Sequence, residues 1–254
     1  MPMPFATQTL LWAFLYFCRI GAMLMVFPGY STMRIPVLVR LLLAIGVTAA
    51  LTPILLQAEG AVPPPAEPSP GELLTLVWVE LLKGLALGLM GRMFFLAFEF
   101  LATALTQFIG MGNFPGMPAE GQEPVPALVS LIMVAATVLV FATGLHMQAL
   151  SAVVESYAVS PVGVPGDVGG HLRDLADRLS RATFLSLQAI APFMVYAVVA
   201  NLAIGLVNRM TPQIPAYFIS LPLIMIGGLF LLFFVVDEMF GVFIAGFADW
   251  LVNG

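Results

Sequence analysis

The chain has 254 residues, of which 61% are hydrophobic and 9% are charged, and its formal net charge is −5. A soluble domain of this length carries about a quarter charged residues, so the composition predicts a membrane protein. The negative charge argues against a nucleic-acid partner, because phosphate binding needs clustered Lys and Arg. The single cysteine, Cys18, excludes an intrachain disulfide and a paired-cysteine metal site.

Six apolar segments follow one another and predict an all-α, polytopic membrane protein. They are Thr9–Phe27, Val37–Leu56, Glu72–Gly110, Ala127–Leu150, Ala182–Val207 and Ala216–Trp250. A helix crosses a bilayer core in about 20 residues, which four of the segments match. The third and sixth are too long for one ordinary span, so each is expected to bend, to continue outside the membrane or to form a hairpin. Leu221-Pro222 and Gly227-Gly228 mark the break expected in the sixth segment.

The whole chain, residues 1–254, is interpreted as one domain with three connections of distinct composition. Residues 57–71 contain Pro63-Pro64-Pro65 and predict a stiff, extended linker. Residues 110–126 form a Gly/Pro-rich loop, and residues 151–181 form a loop followed by a short polar helix. Arginines occur in connections on both sides of the expected spans, so the positive charges do not fix an orientation.

Small and polar residues recur along one face of the third segment and predict a close helix contact. The residues on this face are Gly84, Gly88, Gly91, Glu99, Thr103, Thr106 and Gly110. Small side chains let a second backbone approach closely. Either this chain or another subunit supplies the second helix, and the sequence leaves both alternatives open.

Charged residues within the third and sixth segments need partners other than lipid. They are Glu80, Lys83, Arg92, Glu99, Asp237 and Glu238. Glu80 and Lys83 are three residues apart and predict a local ion pair, with a proton- or ion-coupling relay as the alternative. For Asp237 and Glu238 the sequence favours an interface with a polar neighbour over an ion site.

A polar hinge joins the fifth and sixth segments. It contains Asn208, Arg209, Pro212 and Gln213 between two apolar stretches. An arginine is costly in lipid, and a proline leaves a backbone carbonyl without its helical donor. We therefore expect something other than lipid to receive these groups.

No pattern in the sequence predicts catalysis, a cofactor or a metal site. His146 has no second histidine within two helical turns. No Ser/His/Asp spacing, phosphate-binding loop or zinc pattern is present either. The chain is therefore not expected to be an enzyme.

Several pieces of the chain, in their order and spacing, resemble the FliR family of the flagellar type III export gate and its injectisome counterpart of the SctT type. The resemblance covers nearly the whole chain. The matching pieces are Arg34-Ile35-Pro36, Gly84-Leu85-Ala86-Leu87-Gly88, Gly144-Leu145-His146, Ser160-Pro161-Val162-Gly163 and the hinge from Gly205 to Gln213.

The resemblance implies a non-enzymatic subunit of the bacterial inner membrane and the flagellar basal body. It also implies that the subunit is built from bent helical hairpins, with two of the six apolar segments, the third and the sixth, broken. With FliP-like and FliQ-like subunits, and a FlhB-like subunit, it would form the channel that passes unfolded flagellar proteins out of the cytoplasm. Such neighbours would also receive the charged side chains named above.

The resemblance further implies that the loop after the third segment projects into the pore as a plug. The plug residues are then Met111, Gly112, Asn113, Phe114, Pro115, Gly116 and Met117. Relatives carry an Asp-Pro pair in this loop, where this chain has Glu123-Pro124.

Three alternatives remain beside the flagellar gate. A small-molecule secondary transporter predicts matched, interrupted helices in two related halves, and Pro53, Pro192 and Pro222 form no obvious matched pair. A membrane-embedded enzyme lacks a catalytic constellation. The equivalent subunit of a virulence type III secretion system is the third, and the resemblance favours the flagellar one.

Overall fold

The computed structural model describes residues 4–32, 35–57, 68–112, 126–164, 168–211, 213 and 216–253. In these residues the chain forms seven α-helices and no β-strand, which confirms the predicted all-α class. The helices are α1 (Pro4–Val26), α2 (Val37–Gln57), α3 (Pro70–Phe108), α4 (Ala127–Ala142), α5 (Leu145–Val159), α6 (Val168–Met210) and α7 (Ala216–Asn253). By length and composition, five of the described helices are candidates to cross a membrane, or six spans if α4 and α5 count as one.

The structure differs from the sequence prediction in where the helices are interrupted. α3 and α7 are continuous helices of 39 and 38 residues, so the breaks expected in the third and sixth segments do not end a helix. Pro222 lies inside α7. Because Pro222 has no N–H, one helical hydrogen bond is lost. The other backbone groups can form hydrogen bonds only within the helix in apolar surroundings, so the helix continues past the proline.

The interruption falls instead in the fourth apolar segment. α4 ends at Ala142 and α5 begins at Leu145, with Thr143 and Gly144 between them. Gly144 has φ 76°, a left-handed conformation that residues with a Cβ rarely adopt. A glycine at this position therefore ends one helix and starts the next without strain.

Local sequence fixes both ends of α3. At its start, the Ser69 hydroxyl accepts a bond from the Glu72 N–H at 3.4 Å, while the Glu72 carboxylate accepts from the Ser69 N–H at 2.8 Å. This reciprocal pattern is a capping box, with Pro70 at the first helical position. At its end, Gly110 has φ 76°, and the N–H of Met111 donates to the Thr106 carbonyl at 2.9 Å. Such left-handed glycine caps commonly end helices.

The described chain divides into two compact units. Unit 1 contains residues 1–93 and 144–177, and unit 2 contains residues 94–143 and 178–254. In unit 1, α1 supplies much of the buried core, including Leu15, Tyr16 and Ile20, and α2 packs against it. The rest of α2 is largely exposed, as Val37 and Leu38 show.

Aromatic rings form the core of unit 2. Phe94, Phe95 and Phe98 of α3 meet Phe243 and Phe247 of α7, with ring centroids between 4.3 and 5.6 Å apart in the pairs that touch most closely. Outside this cluster, α6 and α7 expose long apolar faces. Such surfaces mark contact with lipid or with another protein.

Candidate functional site

Three charged side chains form a buried cluster in unit 1. Arg19 of α1 and Glu80 of α3 are both fully buried, and Lys83 is nearly so. Arg19 Nε donates to Glu80 Oε2 at 2.7 Å, and Arg19 Nη2 donates to Oε1 at 3.0 Å. Lys83 Nζ donates to the same Oε1 at 3.3 Å. A bidentate arginine–carboxylate contact of this kind combines charge with fixed geometry.

The loop that follows α5 closes this cluster from another side. The Ser160 carbonyl accepts a bond from the arginine at 2.9 Å, and the Pro161 carbonyl accepts from the lysine at 2.8 Å. The Gly163 N–H donates to the carboxylate at 3.0 Å. Two cations and one carboxylate leave one formal positive charge, so the carbonyl oxygens of the loop supply the balancing partial charge.

Aromatic rings cover the remaining side of the arginine. The Arg19 guanidinium carbon lies 3.9 Å from the ring centroid of Tyr157 on α5, a cation–π contact. The Tyr157 ring meets Tyr16 edge-on, with centroids 5.1 Å apart. The Ser156 hydroxyl of α5 also accepts a bond from Arg19 Nη1 at 3.1 Å. The cluster thus joins α1, α3, α5 and the following loop, and we call it the charge clamp.

The sequence predicted only part of the charge clamp. It predicted the Glu80–Lys83 pair, which the structure contains, but it did not single out Arg19, the main partner of Glu80. The available indication was a lone arginine inside an apolar segment, where a charge needs a partner. Because every bond of the carboxylate is used within unit 1, the geometry favours the ion-pair interpretation over a relay.

The glycine stripe of α3 faces α1 of the same chain. A Cβ at Gly88 would lie 2.8 Å from the carbonyl oxygen of Met23, closer than van der Waals contact allows. A Cβ at Gly84 would meet the carbonyl oxygen of Arg19, and one at Gly91 would lie 2.8 Å from the ring of Phe27. Along this part of the stripe, the second helix predicted from the sequence is therefore α1.

The threonines that continue the stripe lie in unit 2. Thr106 is buried and Thr103 half-buried. Their hydroxyls donate to carbonyls of their own helix, Thr103 to Glu99 at 2.9 Å and Thr106 to Ala102 at 2.6 Å. Both side chains therefore satisfy their hydroxyls locally, and their small size remains available for close packing.

The other predicted charged residues occupy different environments. Arg92 is half-buried in unit 1, and its Nη1 donates to the Ser31 hydroxyl at 3.4 Å. Asp237 and Glu238 are exposed on α7 in unit 2. Arg92 thus belongs to unit 1 with the charge clamp, and Asp237 and Glu238 belong to unit 2.

The hinge and the plug are only partly within the described residues. Asn208 and Arg209 are exposed in the last turn of α6, and Gln213 is exposed beyond it. Pro212 lies outside the described residues. Of the predicted plug, Met111 and Gly112 are described and half-buried, while residues 113–117 lie outside, as do residues 58–67 of the predicted linker.

Metal-ligating side chains do not converge in the described part of the chain. No group of three or more His, Cys, Asp or Glu residues there has a geometry that could hold a metal ion. Together with the fold, these observations define an all-α, multi-pass membrane protein whose buried charges hold helices to one another.

Comparison with known proteins then gives the family. The chain matches the profile of the bacterial export proteins, family 1, over residues 10–250, and it belongs to that family. It is 31% identical over 220 residues to the flagellar biosynthetic protein FliR of Caulobacter vibrioides, covering 87% of this chain and 86% of that protein. The flagellar biosynthetic protein FliR of Escherichia coli K12 is 26% identical over 231 residues, covering 89% and 85%. The resemblance to the FliR family is confirmed.

Proposed function

We propose that this chain is a non-enzymatic subunit of the flagellar type III protein-export gate. With FliP-like and FliQ-like subunits, and next to a FlhB-like subunit, it forms the channel through which unfolded flagellar proteins leave the cytoplasm. Its place is the bacterial inner membrane, at the flagellar basal body.

One observation carries this proposal. The family match extends over residues 10–250, nearly the whole chain, and relatives covered over more than four fifths of their length are named for flagellar biosynthesis. Because fold alone does not imply function, this nearly full-length match supports the proposal and the helical architecture by itself does not.

The distribution of polar groups supports an assembly role. The charges of the charge clamp are satisfied inside unit 1, whereas Asp237 and Glu238 are exposed within the apolar stretch Ile219–Leu251 of α7. Charged groups on apolar helices usually face protein or a water-filled cavity instead of lipid. A subunit surrounded by other subunits offers such surroundings.

The plug is the second part of the proposal. Residues 110–126 follow directly on the capped end of α3, and they are rich in glycine and proline. A loop that starts at a capped helix end is held at its base. We propose that this loop closes the pore in the resting gate and moves aside for a substrate.

An export assay in the host bacterium tests the function. A flagellar substrate is expressed from an inducible promoter, so that its synthesis does not depend on flagellar gene regulation, and is measured in the cells and in the medium. Deletion of the gene for this chain is expected to abolish the substrate in the medium without lowering it in the cells, and the intact gene is expected to restore export. Undiminished export from the deletion strain would contradict the proposal.

A further inference from the structure

A cleft lies between α6 and α7 within unit 2. Its volume is about 410 Å³, and its wall combines apolar groups with one carboxylate. The lining residues that matter here are Gln188 and Pro192 of α6, and Phe234, Glu238, Met239 and Val242 of α7. We call it the Glu238 cleft.

The polar part of the Glu238 cleft consists mainly of hydrogen-bond acceptors. Pro192 has no N–H, so it withdraws the donor that a regular helix supplies to the carbonyl of Gln188, four residues earlier. The carboxylate of Glu238, which only accepts when ionised, and the side-chain oxygen of Gln188, next to its NH2 group, add further acceptors among the lining residues. This arrangement suits a ligand group that donates several hydrogen bonds and carries a positive charge.

Lipid acyl chains are a poor partner for this carboxylate. The apolar stretch Ile219–Leu251 of α7 has 33 residues. Every run of about 20 consecutive residues within it, the length of a bilayer core, contains both Asp237 and Glu238. Neither side chain forms an ion pair or hydrogen bond with any residue in the described ranges. Acyl chains supply no hydrogen-bond donor, so a protein group is the better partner.

We propose that the Glu238 cleft receives the side chain of a lysine or arginine from an apolar helix of a neighbouring subunit. The proposal rests on the proposed function, because it requires that the chain works inside a multi-subunit assembly. Lysine and arginine have an apolar stem and a charged end group. The stem matches the apolar lining residues of the cleft, and the charged end group matches its hydrogen-bond acceptors. The stem packs between Phe234, Met239 and Val242, while the head donates to Glu238 and Gln188.

The surface around the cleft fits an apolar partner helix. Phe234 is 64% exposed at the cleft, and Phe230 and Val195 nearby in the sequence are 66% and 65% exposed. A neighbouring helix that covers these side chains would exclude water from the ion pair. Exclusion of water strengthens the attraction between the two charges, because the effective dielectric constant falls.

Photo-cross-linking identifies the neighbour. The photoreactive residue p-benzoylphenylalanine replaces Phe234 or, as a matched control, the adjacent Phe233, which is 75% exposed and does not line the cleft. After irradiation in cells, the cross-linked peptides are sequenced by mass spectrometry. The Phe234 cross-link is expected to fall within one helical turn of a lysine or arginine in another subunit. Cross-links from Phe234 to lipid alone, or to segments without a basic residue, would overturn the proposal.

Charge substitutions test the ion pair itself. Glu238→Gln is compared with Asp237→Asn, which removes the neighbouring carboxylate outside the cleft. Glu238→Gln is expected to lower the amount of the cross-linked neighbour retained in detergent by roughly tenfold, and Asp237→Asn to lower it less, because Asp237 does not line the cleft. Glu238→Lys should weaken retention further, and exchange of the neighbour's cation for glutamate should restore it. Equal retention in all variants, at equal membrane levels of the chain, would overturn the proposal.

The outcomes separate this proposal from the proposed function. If FliP-like and FliQ-like subunits co-purify with the unmodified chain but no basic residue meets Phe234, the cleft proposal fails and the gate proposal stands. A chain that purifies without any other subunit contradicts both.

Discussion

Glu80 accepts four hydrogen bonds, two from Arg19, one from Lys83 and one from the Gly163 N–H. Burial of a charge costs free energy unless other groups replace the hydrogen bonds that water would make with it. The four donors do this for the Glu80 carboxylate. The guanidinium in turn reaches α5 and the loop that follows it. One carboxylate therefore determines where a loop and three helices of unit 1 meet.

Loss of the Glu80 charge is expected to destabilise unit 1. Glu80→Gln keeps the shape but leaves two cations without a counter-charge in a buried place, and breaking such a pair costs about 3–5 kcal/mol. We expect a lower unfolding temperature of the purified protein in detergent and less protein in the membrane. Glu155→Gln makes the same exchange at an exposed position of α5 and is the control. Identical unfolding temperatures for the two variants would contradict the role of the charge clamp.

The residues of the charge clamp show what the sequence could predict at this scale. Glu80 and Lys83 lie one helical turn apart, so their contact follows from helix geometry alone. Arg19 is 61 positions away from Glu80 along the chain, and helix geometry does not say which helices meet. A lone arginine in an apolar segment indicates that some group must compensate its charge, but the sequence does not show which residue does so.

Among the helices, α1 and α3 can pack closely because the residues of α3 that face α1 are glycines and have no side chain. Gly88→Leu is expected to push α1 away from α3. Its Cβ alone would lie 2.8 Å from the Met23 carbonyl oxygen and 3.0 Å from the Val26 Cβ, and the rest of the leucine side chain would need further space. Lower protein level and loss of assembly are the expected results, measured by immunoblot and native gel. Gly46→Leu on α2 is the control, because a Cβ at Gly46 meets nothing within 4 Å. Normal assembly of the Gly88 variant would contradict the packing account.

The sequence predicted the helix ends well where the length of an apolar segment sets them. It predicted them less well where the backbone conformation of a single residue ends a helix. The apolar segments gave helices with ends close to those observed for α2 and α7. The break at Gly144 could not be read from composition, because a left-handed glycine is indistinguishable in the sequence from one that packs inside a helix. At Pro222 the sequence predicted a break that the structure does not contain, because the loss of one hydrogen bond did not end α7.

At the scale of the whole molecule, the plug proposal predicts a leak. Shortening the loop within residues 113–124 should let small solutes cross the membrane, because the resting pore would lose its closure. The measurement is uptake of a normally excluded small solute by cells that express the variant. Shortening the Pro-rich linker within residues 61–67 is the control, since that segment is not proposed to enter the pore. Equal uptake by the two variants would count against the plug.

We propose that this chain works as one subunit of an export gate. The most direct measurement is purification of the tagged chain in mild detergent from cells that express the other export components, followed by mass spectrometry of every co-purifying protein. We expect one stable particle that contains FliP-like and FliQ-like subunits together with this chain. A monomer or homodimer from the same cells would contradict it and would favour the small-molecule transporter instead.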